Sequence, residues 1–200
     1  MEQNYAEVVE KLNKRGFIAR WCDTRKEAAA DMLENISPDE SVGIGGSVTI
    51  DQTGIYDMLI SRGNTVYWHW KTHDRDVRRD ALVSDVYLCS ANALTRDGEF
   101  VSIDGGGNRT GAMVYGPKRT FIVCGVNKLT DGIPQAIERI KSIACPKNAR
   151  RIGLDVPCAK TDKCHDCAAS KRMCRVTTIY SYPLVNREVR VYLVGEELGF

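Results

Sequence analysis

Hydrophobic positions along this chain switch repeatedly between a helical and a strand period. In residues 4–15, Tyr5, Val8, Val9 and Leu12 recur at three- and four-residue intervals, which predicts an amphipathic helix closed by Gly16. Phe17–Trp21 then reads as a short strand, and Thr24 with Glu27 forms a capping box that opens an alanine-rich helix over 25–35. Ser41–Ile44 has the composition of a buried strand, and a helix over roughly 50–61 follows it, stopped by Gly63. The alternation continues with a strand at Thr65–Trp68, a charged helix at 74–83 and a strand at Asp85–Ser90. Beyond the turn Thr95-Arg96-Asp97-Gly98 come a short strand at Glu99–Ile103, a strand at 120–124 and a helix from about 131 to 144. Strand and helix alternating at this spacing predict an α/β fold, with a mostly parallel open sheet and helices on both faces.

The pattern changes after residue 150. Residues 155–175 have no periodicity and hold half of the cysteines. Val176–Tyr182 and Glu188–Val194 alternate polar and apolar residues, which predicts an antiparallel hairpin at the end of the chain. No repeat or low-complexity linker divides the sequence. Residues 1–200 therefore read as one α/β domain in which 155–175 is an inserted loop.

Composition narrows the function classes. An apolar content of 43% over 200 residues suffices to bury a core without disulfides or metal. A net charge of +2, with basic residues spread along the chain apart from one cluster at Lys160, Lys163, Lys171, Arg172 and Arg175, argues against a nucleic-acid partner. The polar start MEQNYAEVVEKLNKR and the lack of a long apolar run predict a cytoplasmic protein with no membrane span. In that reducing compartment the eight cysteines are expected as thiols or metal ligands rather than disulfides.

Two glycine loops carry the first candidate chemistry. Gly43-Ile44-Gly45-Gly46-Ser47-Val48-Thr49 follows a strand and precedes a helix, a place where backbone amides and the hydroxyls of Ser47 and Thr49 can hold a phosphate or carboxylate. It has neither the Gly-Lys-Ser/Thr of a P-loop nor the third glycine of a dinucleotide fingerprint. A tight turn with no ligand explains this loop alone equally well. The second loop is Asp104 to Arg109, with Gly105, Gly106 and Gly107 between them. Arg109 can pair bidentately with an anion, and Asp104 can act as a general base or bond its neighbouring amides in a capped turn. Lys128 follows the strand 120–124, at the strand end where open α/β sheets bind small molecules.

The cysteines carry the second. Cys158, Cys164, Cys167 and Cys174 have the spacing C-x5-C-x2-C-x6-C, suited to a [4Fe–4S] cluster or, alternatively, Zn²⁺. Only one C-x2-C knuckle occurs, which tilts the expectation towards the cluster. Cys22, Cys89, Cys124 and Cys145 stand alone, and Cys89 and Cys124 read as small buried hydrophobes. His69 and His73 can line a cleft, or lie exposed, and Glu196 and Glu197 offer carboxylates after the last strand.

The motifs GIGGSVT (43–49), SANALTRDGEFVSIDGGGNR (90–109), GPKRTFIVCGVNKL (116–129), PCAKTDKCHDC (157–167) and the terminal LVGEELGF resemble the LUD-domain family, also called DUF162 or lactate-utilisation proteins. The four-cysteine loop looks like that of the short stand-alone members rather than the lactate-utilisation subunit that names the family. The resemblance implies the ribose-5-phosphate isomerase, glucosamine-6-phosphate deaminase and CoA transferase-like fold. Relatives on that fold such as methylthioribose-phosphate isomerases carry a G-A-D-x-N-G pattern; here Asn92 falls where its Asp sits, so isomerase residues do not carry over one for one.

These readings give a set of expectations. A small anionic metabolite is expected between the loops, held by Gly45, Gly46, Ser47, Thr49, Asn92, Gly106, Gly107, Asn108 and Arg109, with Asp104 and Lys128 as acid/base candidates. The protein is expected to be an enzyme or redox subunit in lactate or other organic-acid oxidation, working with redox partner subunits, and to form homo-oligomers. The alternatives are a non-catalytic ligand-binding or assembly subunit with structural zinc, and a sugar-phosphate isomerase-like enzyme.

Overall fold

The computed structural model describes residues 3–73 and 76–200, so the first two positions of the charged helix expected at 74–83 lie outside the described residues. The chain runs α1 (Gln3–Lys14), β1 (Ile18–Cys22), α2 (Arg25–Glu34), β2 (Val42–Ile44), α3 (Val48–Thr53), α4 (Ile55–Arg62) and β3 (Val66–Trp68). Thr24 caps α2 by accepting the Glu27 amide, and the Glu27 carboxylate reaches back to the Asp23 amide, a capping box displaced by one residue. The single helix expected at 50–61 is two, because Gly54 adopts a left-handed conformation (φ +74°) that ends α3 and restarts as α4.

Next come α5 (Val77–Leu82), β4 (Val86–Cys89), β5 (Ala93–Thr95), β6 (Phe100–Asp104), α6 (Asn108–Tyr115), β7 (Arg119–Gly125) and β8 (Leu129–Thr130). The helix expected to stop near 144 continues to 151: α7 (Ile133–Arg139) passes through a π-helical stretch, Ile140–Ala144, into α8 (Cys145–Arg151). Pro146 explains the widened turn, since its ring has no N–H to donate and would press on the carbonyl four residues earlier. The short helix α9 (Pro157–Thr161), β9 (Val176–Tyr180) and β10 (Glu188–Val194) complete the chain.

Six strands form the main sheet in the order β1-β10-β7-β4-β2-β3, every neighbouring pair parallel. The expected C-terminal hairpin is not formed. β10 inserts between β1 and β7 in the main sheet, whereas β9 pairs antiparallel with β6 in a second sheet of order β8-β5-β6-β9. Alternation fixes which side chains share a face but not which strand lies alongside, and that is why the two segments looked like partners.

Alternation along the strands separates the core into layers. Val86, Leu88, Phe121 and Val123 meet α2, α3 and α4 on one face. Tyr87, Cys89, Ile122 and Cys124 meet α1, α5, α6 and the second sheet on the other. The outer face of the second sheet, through Val101 and Ile103, is covered by Ala136, Ile140 and Ala144. Cys89 and Cys124 are buried within these layers, as expected of small hydrophobes, and so is Cys22. No helix among the described residues is long and apolar enough to cross a membrane.

Gly43 sits where α5 lies directly on β2, and a β-carbon there would lie 2.5 Å from the Ala81 carbonyl oxygen and 2.8 Å from the Ala81 Cα. Because both obstacles are backbone, Gly43→Ala is expected to cost about 1–3 kcal/mol, seen as a lower urea midpoint at unchanged slope. An unshifted midpoint would mean that α5 yields at no cost.

Candidate functional site

A cavity of about 690 Å³ opens at the carboxyl ends of the parallel strands. Its wall is made where β2 hands over to Gly46, Ser47 and Thr49, β4 to Ser90, Ala91 and Asn92, and β7 to Lys128. This is the position at which a sheet whose strand order reverses leaves a crevice between diverging connections.

Lys128 forms the floor and is only 3% exposed. Its Nζ donates to Thr49 Oγ1 (2.7 Å), Ser90 Oγ (2.7 Å) and the Ala91 carbonyl (3.1 Å). None of these partners is an anion, and burial lowers the amine to about 8, with Arg139 and Arg109 adding to the depression. The tail after β10 crosses over this point. Thr49 Oγ1 donates to the Leu198 carbonyl, and a β-carbon on Gly199 would lie 2.4 Å from that hydroxyl.

The second glycine loop is held from within. Asp104 Oδ1 accepts the amides of Gly106 (3.1 Å) and Gly107 (3.0 Å), and Oδ2 accepts that of Thr110 (3.2 Å). Burial pushes this carboxyl up, but the Arg109 guanidinium and the three amides outweigh burial and hold it below its ordinary value. Gly107 takes φ +75°, and Gly105 packs so closely on Met173 that a β-carbon would lie 2.9 Å from the Met173 carbonyl oxygen. Arg109 donates to the carbonyls of Ser90 and Ile103 and to Asn92 Oδ1, which also accepts the Ile103 amide. Asn92 and Arg109 thus tie the end of β4 to the second loop while keeping an edge on the cavity.

Of the residues singled out in the sequence, Gly46, Ser47, Thr49, Asn92, Asp104, Gly106, Asn108, Arg109 and Lys128 line the cavity, and Gly45 and Gly107 do not. Gly45 faces Tyr87 Oη, 2.8 Å from where its β-carbon would be. Glu196 turns away to Arg25 at the start of α2. His69 and His73 line the cavity, and burial lowers His69 to about 4, which keeps it neutral. Sequence reasoning missed Trp70, Asn148, Arg151 and Phe200, which also line the cavity. Arg151 stacks over Trp70 at 4.5 Å and donates to Asn148 Oδ1 (2.8 Å). Trp70, just past β3, could have been found from its place at a strand's carboxyl end. Arg151 had no such signal, because only the unforeseen continuation of the helix through α8 brings it there.

The cysteine loop closes a second, small cavity of about 30 Å³. Cys158, Cys164, Cys167 and Cys174 line it together, and so does Cys145 from the first turn of α8. The Cys145 thiol donates to Cys174 Sγ at 3.4 Å, which favours the thiolate at Cys174 and pushes Cys145 up. Among the described residues no three His, Cys, Asp or Glu side chains converge tightly enough to hold a metal ion as they stand. The donor chemistry itself, soft thiolates flanked by Arg172 and Lys141, suits Zn²⁺ or an iron–sulfur cluster alike.

Comparison with known proteins places the chain in a family. A D-ribose-5-phosphate isomerase structure in complex with phospho-erythronic acid aligns at 16% identity over 58% of this chain and 62% of its own, with a TM-score of 0.31. A DUF162 family protein from Deinococcus radiodurans aligns at 11% identity over 96% of this chain and 97% of its own, with a TM-score of 0.56, and so shares the fold. No curated protein matches the sequence. The LUD domain family model matches residues 5–194, nearly the whole described chain, and the protein belongs to the LUD-domain family.

Proposed function

We propose that this LUD-domain protein binds a small anionic metabolite in the cavity between its two glycine loops and acts on it by proton transfer at Lys128. The observation that carries the reading is a fully buried amine without an anionic partner on the floor of a roomy cavity. Such an amine is short of negative charge, and its lowered pKa lets it hold or release a proton near neutral pH. A ligand carboxylate reaching Nζ would exchange with one of its present partners, most readily the Thr49 or Ser90 hydroxyl, because both hydroxyls also bond backbone carbonyls. Asp104 serves this reading as the carboxylate that shapes the loop, since its lone pairs already face three amides.

The family resemblance suggests organic-acid oxidation, lactate included, with this chain as an enzyme or redox subunit beside partner subunits. Cys158, Cys164, Cys167 and Cys174 would then hold a [4Fe–4S] cluster, which would supply one-electron transfer. A second reading rests on the same donor set, since four thiolates also suit a single Zn²⁺. There the site would be a structural zinc clip on a ligand-binding or assembly subunit.

One preparation tests both. Protein purified without oxygen is expected to contain iron and sulfide in near-equal amounts, and to bind L- or D-lactate in calorimetry with affinity that Arg109→Ala weakens. Stoichiometric zinc without sulfide would replace the redox reading by the structural one. No binding of lactate, other short hydroxy acids or ribose 5-phosphate would remove the ligand reading altogether.

A further inference from the structure

Cys145 stood alone in the sequence, yet in the structure its sulfur is in hydrogen-bond contact with Cys174 Sγ at 3.4 Å, the one thiol–thiol hydrogen bond among the described residues. The two residues come from unconnected pieces of the fold. Cys145 begins α8, and Cys174 stands just before β9. Cys145 is buried, 4% exposed, and lines the large cavity as well as the small one. Cys174 is half-buried on the loop. We propose that Cys145 and Cys174 are a redox-active dithiol that closes to a disulfide when the protein meets a low-molecular-weight disulfide such as oxidised glutathione.

Burial sets the order of events. Cys174, the more accessible sulfur, attacks the reagent's S–S bond and forms a mixed disulfide while one glutathione thiol leaves with a proton. Cys145, already in contact, then attacks the Cys174 sulfur; the second glutathione leaves as a thiol, and the protein has lost two protons and two electrons to the reagent. The bridge takes Cys174 out of the thiolate set available to any metal. It also fastens the cysteine loop to α8 in the wall shared by the two cavities. The pair itself rests only on the sulfur contact and not on which metal, if any, the loop holds.

The test is peptide mapping by mass spectrometry after the purified protein has been incubated with oxidised glutathione and alkylated, with metal content measured on the same sample. The expected result is a crosslink between the peptides of Cys145 and Cys174. In Cys145→Ala the same treatment should leave glutathione attached at Cys174, because the resolving thiol is gone. Bridges confined to Cys158, Cys164 and Cys167, or stable glutathione on Cys174 in the unaltered protein, would overturn the assignment. If the protein proves to contain no metal and the crosslink still forms, the metal reading fails and the dithiol stands.

Discussion

Lys128→Met is expected to yield a folded protein that is at least as stable as its parent at pH 7 and binds short organic anions roughly 10- to 100-fold more weakly. The two halves of this result have one cause. Burial lowers the amine from 10.5 to about 8, so between those values the unfolded chain carries more protons than the folded one. The contribution of Lys128 to stability therefore rises with pH from about 8 to about 10.5, and below pH 8 the full cost of charging a buried amine, on the order of 3 kcal/mol, is present. Methionine has nearly the same reach and no charge. The hydroxyls it leaves behind keep partners, since Thr49 still bonds the Leu198 carbonyl and Ser90 the carbonyl of Ala91. Thermal unfolding of parent and variant side by side from pH 7 to 10.5 checks the stability half: the buried thiols and tyrosines shift both proteins alike, and the variant's advantage should shrink over the upper part of that range. Calorimetric titration with lactate checks the binding half. A variant that melts well below its parent at pH 7 would show Lys128 to be a structural donor.

Asp104→Ala is expected to lose about 2–4 kcal/mol, because the amides of Gly106, Gly107 and Thr110 all lose their acceptor at once. Asp104→Asn, which keeps one side-chain oxygen, should fall between. The folded carboxyl lies below its ordinary value, so the stability it contributes is present above the unfolded pKa and disappears as pH falls through the folded one. Acid unfolding of the parent should therefore be steeper than that of Asp104→Asn. Amide hydrogen exchange gives the local readout: fast exchange at Gly106, Gly107 and Thr110 in the alanine variant and slow exchange in the parent. Equal exchange rates in the two proteins would refute the role assigned to the carboxylate.

What the sequence disclosed and what it hid divide along a physical line. Period and caps are local, and so the strand Val86–Cys89, the Thr24 cap and the glycine loops could be read directly. Loop residues that follow parallel strands were also legible, because the sheet's polarity gathers strand ends on one side: Thr49, Asn92 and Lys128 come from three different connections and meet. Encounters between distant segments were not legible. Val176–Tyr180 and Glu188–Val194 have equally good alternation, and nothing in either states that one belongs beside β6 and the other beside β7. Cys145 gave no sign of Cys174, twenty-nine residues on, since their meeting depends on a π-helical turn that redirects the helix. Arg151 reaches the cavity wall for the same reason.

The place of β10 has a consequence for how the chain acquires its structure. Among the described residues β1 has only β10 as a sheet neighbour, so this strand is joined to the sheet by one made more than 160 residues later. During synthesis, β7 and β1 would each wait with an open hydrogen-bonding edge, on a topology rich in distant pairings that folds slowly. Nascent chains stalled before Glu188 are thus open to edge-to-edge pairing, whereas the arrival of β10 should close both edges in one step.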